Sequence, residues 1–102
     1  MPTKQTRLDN AEVADALAAL PGWLGDADRI QLEIIVDGDE ADAISTEVLR
    51  AADELDHHPV IDRGPGTLTF TVWTHSVGGV TGLDVTLARR ISHLLSSAGI
   101  AY

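Results

Sequence analysis

The chain has 102 residues, with 16 acidic side chains against 7 basic ones, a net charge of -9 and 44% hydrophobic residues. One domain is the expectation at this length, and a mean hydropathy of +0.05 is that of a globular rather than a disordered chain. The lack of cysteine excludes disulfides, thiolate chemistry and cysteine-based zinc sites; no apolar run is long enough for a membrane span, and no basic face is present to read a phosphate backbone.

Residues Met1 to Arg7 lack the apolar segment of a secretory signal and read as a flexible tail, so the expected domain is 8–102 and the expected compartment is the cytoplasm. The first helix is expected over Leu8 to Leu20. Asp9 followed by Glu12 makes a capping box, and Val13, Leu17 and Leu20 share a face, with Ala14 and Ala18 beside them. Pro21-Gly22 stops it, and Trp23 begins a short extended segment as a core or interface anchor. A turn at Gly25 to Asp28 leads to a strand over Arg29 to Val36, in which Ile30, Leu32 and Ile34 alternate with Gln31, Glu33 and Ile35. Asp37 and Glu40 form a second capping box before a helix over Gly38 to Leu55, whose apolar stripe is Ala41, Ile44, Val48, Ala52 and Leu55.

That helix delivers His57 and His58 to a corner. Pro59 forces the residue before it out of helical geometry, so adjacent imidazoles sit where helix becomes extended chain and at least one faces a cleft or water. Asp53 stands four residues before His57, the spacing of one helical face, and is expected to fix the imidazole tautomer. A short extended piece, Val60 to Asp62, is broken by Arg63-Gly64-Pro65-Gly66. The clearest strand follows, Thr67 to Thr74, with Leu68, Phe70 and Val72 on one face. Thr69, Thr71 and Trp73 lie on the other, and His75 continues their parity. Gly78-Gly79 permits unusual dihedrals or a close backbone approach. Thr81 and Asp84 make a third capping box, and Leu83, Leu87, Ile91, Leu94, Leu95 and Ala98 form the stripe of a last helix that Gly99 ends.

The order helix, strand, strand, helix, strand, strand, helix predicts an α+β domain of two layers, a four-stranded antiparallel sheet with three helices on one face. The other face is available to a second subunit. Three of the four histidines, His57, His58 and His75, lie in the run from Asp53 to Asp84. Histidine is the side chain whose charge changes near neutral pH, so such a cluster supplies a proton donor and a proton acceptor together. Three imidazoles and a carboxylate are also a conceivable zinc set. Consecutive histidines at a corner diverge, however, and no metal is expected.

His57-His58-Pro59, then Thr74-His75, Gly78-Gly79, Thr81 and Asp84, resemble the pterin-4a-carbinolamine dehydratase family. The likeness covers nearly the whole chain, including Leu20 to Trp23 and Leu87 to Ile91. It implies dehydration of a 4a-hydroxytetrahydropterin to the quinonoid dihydropterin, without metal or organic cofactor, by a homodimer or homotetramer. It implies proton transfer by His57 and His75, with His58 beside the pterin as a binding or relay group. Asp84 would orient a histidine or the ring, Asp53 would orient His57, and Thr74, Ser76, Gly78 and Gly79 would meet the substrate. The family also contains dehydratase-like proteins that act as coactivators or assembly factors, which is the alternative reading. The chain departs from the family where Ile61 and Pro65 replace aromatics after His-His-Pro, and where Ile34, Val36 and Ala41 stand in place of phenylalanines.

Overall fold

A computed structural model describes residues 6–102. Of the tail expected over 1–7, residues 1–5, Lys4 among them, lie outside the described residues. Arg7 is tied into the fold, as set out below. Helix α1 spans Asn10–Ala18, shorter at both ends than the hydrophobic spacing predicts, and starts at the Asp9–Glu12 capping box. The Asp9 carboxylate accepts from the Glu12 N–H at 2.8 Å, and Glu12 accepts in return from the Asp9 N–H at 3.0 Å. Ala14 and Ala18 stay exposed. After Pro21-Gly22 the buried Trp23 donates its indole N–H to Ser92 Oγ at 2.8 Å, which pins this corner to the last helix.

Strands β1 (Leu24–Gly25), β2 (Ile30–Ile35), β3 (Val60–Gly64) and β4 (Thr67–Val72) form one antiparallel sheet in the order β1-β2-β4-β3. Burial alternates residue by residue along β2, as its pattern requires. The register sets Leu32 opposite Phe70 and Ile34 opposite Leu68 on the covered face. The open face carries Gln31, Glu33 and Ile35 opposite Thr71, Thr69 and Thr67, with Leu24 and Val60 at its margins. Strand β4 ends two residues earlier than its sequence pattern suggests. Thr74 instead makes an isolated bridge to Gly79, which closes the loop between them.

Helices α2 (Gly38–Leu55) and α3 (Gly82–Ser97) pack against each other and cover the sheet. Both begin with the expected capping boxes, Asp37 with Glu40 and Thr81 with Asp84. The core between helices and sheet joins Ile44, Val48 and Ala52 to Leu68, Phe70, Leu87, Ile91 and Leu95. The aliphatics Ile34, Val36 and Ala41 are all buried, so the core at these positions is built from side chains smaller than phenylalanine. Helix α3 closes with Gly99 at φ +74°, whose N–H and that of Ile100 cap the Ser96 and Leu95 carbonyls. Ala98, expected in the buried stripe, is exposed because the helix stops there and Ile100 takes its place in the core. Among the described residues no helix is long and apolar enough to cross a membrane.

Candidate active site

The histidine pair is placed by the way α2 stops. Asp56 takes a left-handed conformation, φ 52° and ψ 43°, which aspartate tolerates better than most side chains. The His57 N–H then closes back onto the Ala52 carbonyl at 3.0 Å. The chain has reversed within one residue, and Pro59, itself buried, carries it into β3. The two imidazoles leave this corner in different directions. The His57 side chain is 12% exposed and the His58 side chain 51%.

His57 meets the carboxylate of Asp84, its Nε2 lying 2.5 Å from Oδ1. Asp84 sits in the first turn of α3 and is fully buried. Its second oxygen accepts from the Thr81 N–H at 2.9 Å and from the Thr74 hydroxyl at 2.8 Å. The Thr74 and Thr81 hydroxyls are 2.9 Å apart, and the Leu83 N–H reaches Thr81 Oγ1 at 3.2 Å. With Thr74 donating to Asp84, the Thr81 hydroxyl is left to donate to Thr74 Oγ1 at 2.9 Å or, at 3.5 Å, to the same Asp84 oxygen. These donors all meet Oδ2, and with Asp84 ionised its Oδ1 is the acceptor that faces His57. His57 therefore carries its proton on Nε2 toward Asp84, and Nδ1 is left as the nitrogen that can take another. The ends of α2, β4 and α3 thus meet at one carboxylate.

Asp53 does not orient His57. It accepts from His58 Nε2 at 2.7 Å, with its own side chain 73% exposed. Spacing of four presupposes that the helix runs on to residue 57, and the left-handed Asp56 breaks that relation. Asp56 itself is exposed.

His75 opens a single 3-10 turn, His75–Val77, that ends at Gly78 with φ +66°. The turn is held at its base, where the Thr74 N–H donates to the Gly79 carbonyl at 2.9 Å. The close approach made by Gly79 is to the protein itself. A Cβ there would lie 2.6 Å from the Ala27 carbonyl oxygen and 2.6 Å from Arg7 Nε. Arg7 lies across the loop, donating to the Gly78 carbonyl at 3.1 Å and to Asp28 at 2.7 Å. Of the four residues expected to meet substrate, Thr74 and Gly79 are buried and shape the site from beneath, while Ser76 and Gly78 are exposed. His75 is exposed, and its ring packs against Trp73 with centroids 4.8 Å apart. Unlike His57 and His58, His75 has no carboxylate partner among the described residues.

Pattern reading alone does not give Arg7 a role, because its partners are distant in sequence and nothing local marks it. Thr81 is legible as a helix cap, yet its second service, a hydroxyl contact with Thr74 beside Asp84, depends on where Thr74 lies. Among the described residues no group of three or more His, Cys, Asp or Glu is placed to hold a metal ion. A separate cleft of about 350 Å³ lies between α2 and the end of α3, lined by Glu40, Ile44, Glu47, Leu94 and Ile100 among others. No histidine lines it, and Ser97 is its one side-chain hydroxyl beside the two glutamates. The histidine corner is therefore the candidate site.

The family model for pterin 4 alpha carbinolamine dehydratase matches residues 6–94. A relative from Nocardia farcinica is 41% identical over 88 residues, 85% of this chain and 93% of its own. One from Streptomyces avermitilis is 42% identical over 94 residues, 90% of this chain and 93% of its own. Both are provisionally named pterin-4-alpha-carbinolamine dehydratases. Among solved structures, a Brucella melitensis protein described as a transcriptional coactivator/pterin dehydratase superposes with a TM-score of 0.81 at 32% identity. That match covers 87% of this chain and 98% of the Brucella chain. With the match running through His57, His58, His75 and Asp84, this chain belongs to the pterin 4 alpha carbinolamine dehydratase family.

Proposed function

We propose that the chain dehydrates a 4a-hydroxytetrahydropterin to the quinonoid dihydropterin. The C4a–O bond breaks, the hydroxyl departs as water with an added proton, and N5 loses its proton as the N5=C4a double bond forms. Two proton transfers are needed, each worth ~10²–10⁴-fold in rate when the group is well placed. In this reading His57 accepts the N5 proton at Nδ1. The buried Asp84 steadies the imidazolium that results, and His75 serves the departing hydroxyl. His58, held by Asp53 at the rim, binds or relays. The observation that carries the proposal is the buried His57–Asp84 pair joined through Thr74 to the start of the His75 turn.

The test is a dehydration assay with freshly generated 4a-hydroxytetrahydropterin. His75→Ala is expected to lower the rate by ~10²-fold or more with little loss of stability. His93→Ala, on an exposed face of α3, is expected to stay within about twofold. A wild-type protein that leaves the spontaneous rate unchanged would overturn the proposal.

The same proposal includes a homodimer or homotetramer, supported by the uncovered sheet face where Leu24 is 69% and Ile35 85% exposed. Sedimentation velocity checks it, and a monomer at assay concentration would refute it. The coactivator half of the Brucella protein's description favours a second reading, a protein-binding role. That role demands a partner whose affinity is insensitive to His75→Ala, which titration of wild type and variant decides.

A further inference from the structure

The chain has four aromatic residues besides its histidines: Trp23, Phe70, Trp73 and Tyr102. Trp23 and Phe70 are buried in the core, and the Tyr102 hydroxyl is engaged with Ser96 near the end of α3. Trp73 alone stands beside a candidate catalytic histidine. It follows the last residue of β4 and continues the open-face parity of Thr69 and Thr71. Since Ile30 pairs with Val72, the next step outward sets Arg29 against Trp73. The guanidinium carbon of Arg29 lies 5.1 Å from the indole centroid, within cation–π range. Arg29 makes no ion pair with an acid among the described residues. The His75 ring is tilted 40° to the same indole.

We infer that Trp73, braced by Arg29, is a positioning residue that fixes the imidazole of His75. The residues on either side of Trp73 are anchored by burial and hydrogen bonds. Val72 is fully buried, and Thr74 is locked to Gly79 and Asp84. What remains free in His75 is its side-chain torsions, because the ring is exposed and has no carboxylate to hold it. His57 is held in register by hydrogen bonds, whereas His75 is held by an aromatic face. A misplacement of about 1 Å in a proton-transfer group can cost ~10²-fold in rate, so even a loose restraint of this kind matters.

The catalytic part of this inference rests on the dehydratase reading, so the test has two arms. In the first, the ring-proton shifts of His75 are followed by NMR, assigned by comparison with His75→Ala. Trp73→Ala is expected to abolish the ring-current displacement of these signals, and Trp73→Phe to keep part of it. Arg29→Ala, at an exposed position where folding is not at risk, is expected to shift them in the direction of Trp73→Ala by a smaller amount. In the second arm, Trp73→Ala is expected to lower kcat by about tenfold with KM within about twofold, and Trp73→Phe to restore most of it. His75 signals unmoved by both Trp73→Ala and Arg29→Ala would overturn the inference, as would a rise in KM with kcat intact. An inactive wild type would overturn the dehydratase reading, and the NMR arm then decides the placement of His75 by itself.

Discussion

His57 and His58 are neighbours in sequence, each with its Nε2 on the Oδ1 of an aspartate, at 2.5 and 2.7 Å. By their hydrogen bonds alone they are equivalent. Their surroundings differ. Asp84 is wholly buried and receives two further donors from Thr74 and Thr81, while Asp53 stands in solvent on the last turn of α2. Water competes for the outer pair and weakens it, and exposed pairs of this kind contribute ~0–1 kcal/mol. On the Asp84 side the inner pair has no such competitor. Its geometry is set by three elements, and removal of one member strands the others in a dry site. The same two residue types therefore form a buried, multiply held pair in one place and an exposed rim contact in the other.

The largest break in this comparison is expected from Asp84→Asn. The amide keeps the size of the side chain but turns one acceptor into a donor, against three donors that require acceptors. Stability is expected to fall by at least ~2 kcal/mol in urea titration. The dehydration rate is expected to fall by ~10²-fold or more, because the His57 tautomer is no longer specified. A rate within a few-fold of wild type would show that the inner pair is structural only.

Next in size is the contrast between the histidines themselves. His57→Ala is expected to cost ~10²–10⁴-fold in rate and to destabilise by ~1–3 kcal/mol, since it leaves an Asp84 oxygen buried without its donor. His58→Ala is expected to change stability by less than ~1 kcal/mol and the rate by ~10-fold at most, as suits a group that binds or relays. The two variants assayed side by side, with melts as control, measure how far burial separates adjacent residues.

Why the pairing of histidines with acids is hidden in the sequence follows from the chain reversal at Asp56. The helix starts are legible because a capping box is a local contract, four residues long, and Asp9, Asp37 and Thr81 each honour it. The strand faces are legible because Leu68, Phe70 and Val72 repeat at the period of a pleat and are all fully buried. A helix end is decided by one residue's dihedral angles, and Asp56 is an unobtrusive choice for a left-handed position. Reading His57 as helical joins it to Asp53, and the actual reversal joins it to Asp84, 27 residues away. The hold of Arg7 on Gly78 spans 71 residues and leaves no local trace. Gly79 is half legible: the sequence shows that a close approach is permitted, and the structure shows that Ala27 and Arg7 use it.

That crowding gives a smaller, indirect way to disturb the site. Gly79→Ala would set a methyl 2.6 Å from the Ala27 carbonyl oxygen, a backbone atom that cannot swing away. The strand-to-turn segment must shift, at a cost of ~1–3 kcal/mol. The shift passes to Thr74 and His75 through the bridge that closes the loop. The expected result is a lower Tm and a rate reduced by about tenfold, with His57 still paired to Asp84. A melt unchanged from wild type would mean that the Gly79 contact is looser than these distances imply.

The smallest effect is expected from Asp53→Ala, and it is the sharpest test of the comparison. Asp53 is 73% exposed at its side chain, and so is half of the His58 imidazole it holds, at 51%. Removing the carboxylate leaves His58 free to hydrogen-bond water, so nothing is stranded and stability is expected to change by no more than ~0.5 kcal/mol. Alanine also suits the last turn of α2, which offsets part of the lost contact. If His58 only binds or relays, the rate is expected to fall by a few-fold, through KM more than kcat. Added salt is expected to shrink the difference between wild type and variant, since an exposed pair is screened and a buried one is not. A fall of ~10²-fold in kcat, equal to that of Asp84→Asn, would reverse the assignment and make the exposed pair the proton-transfer centre.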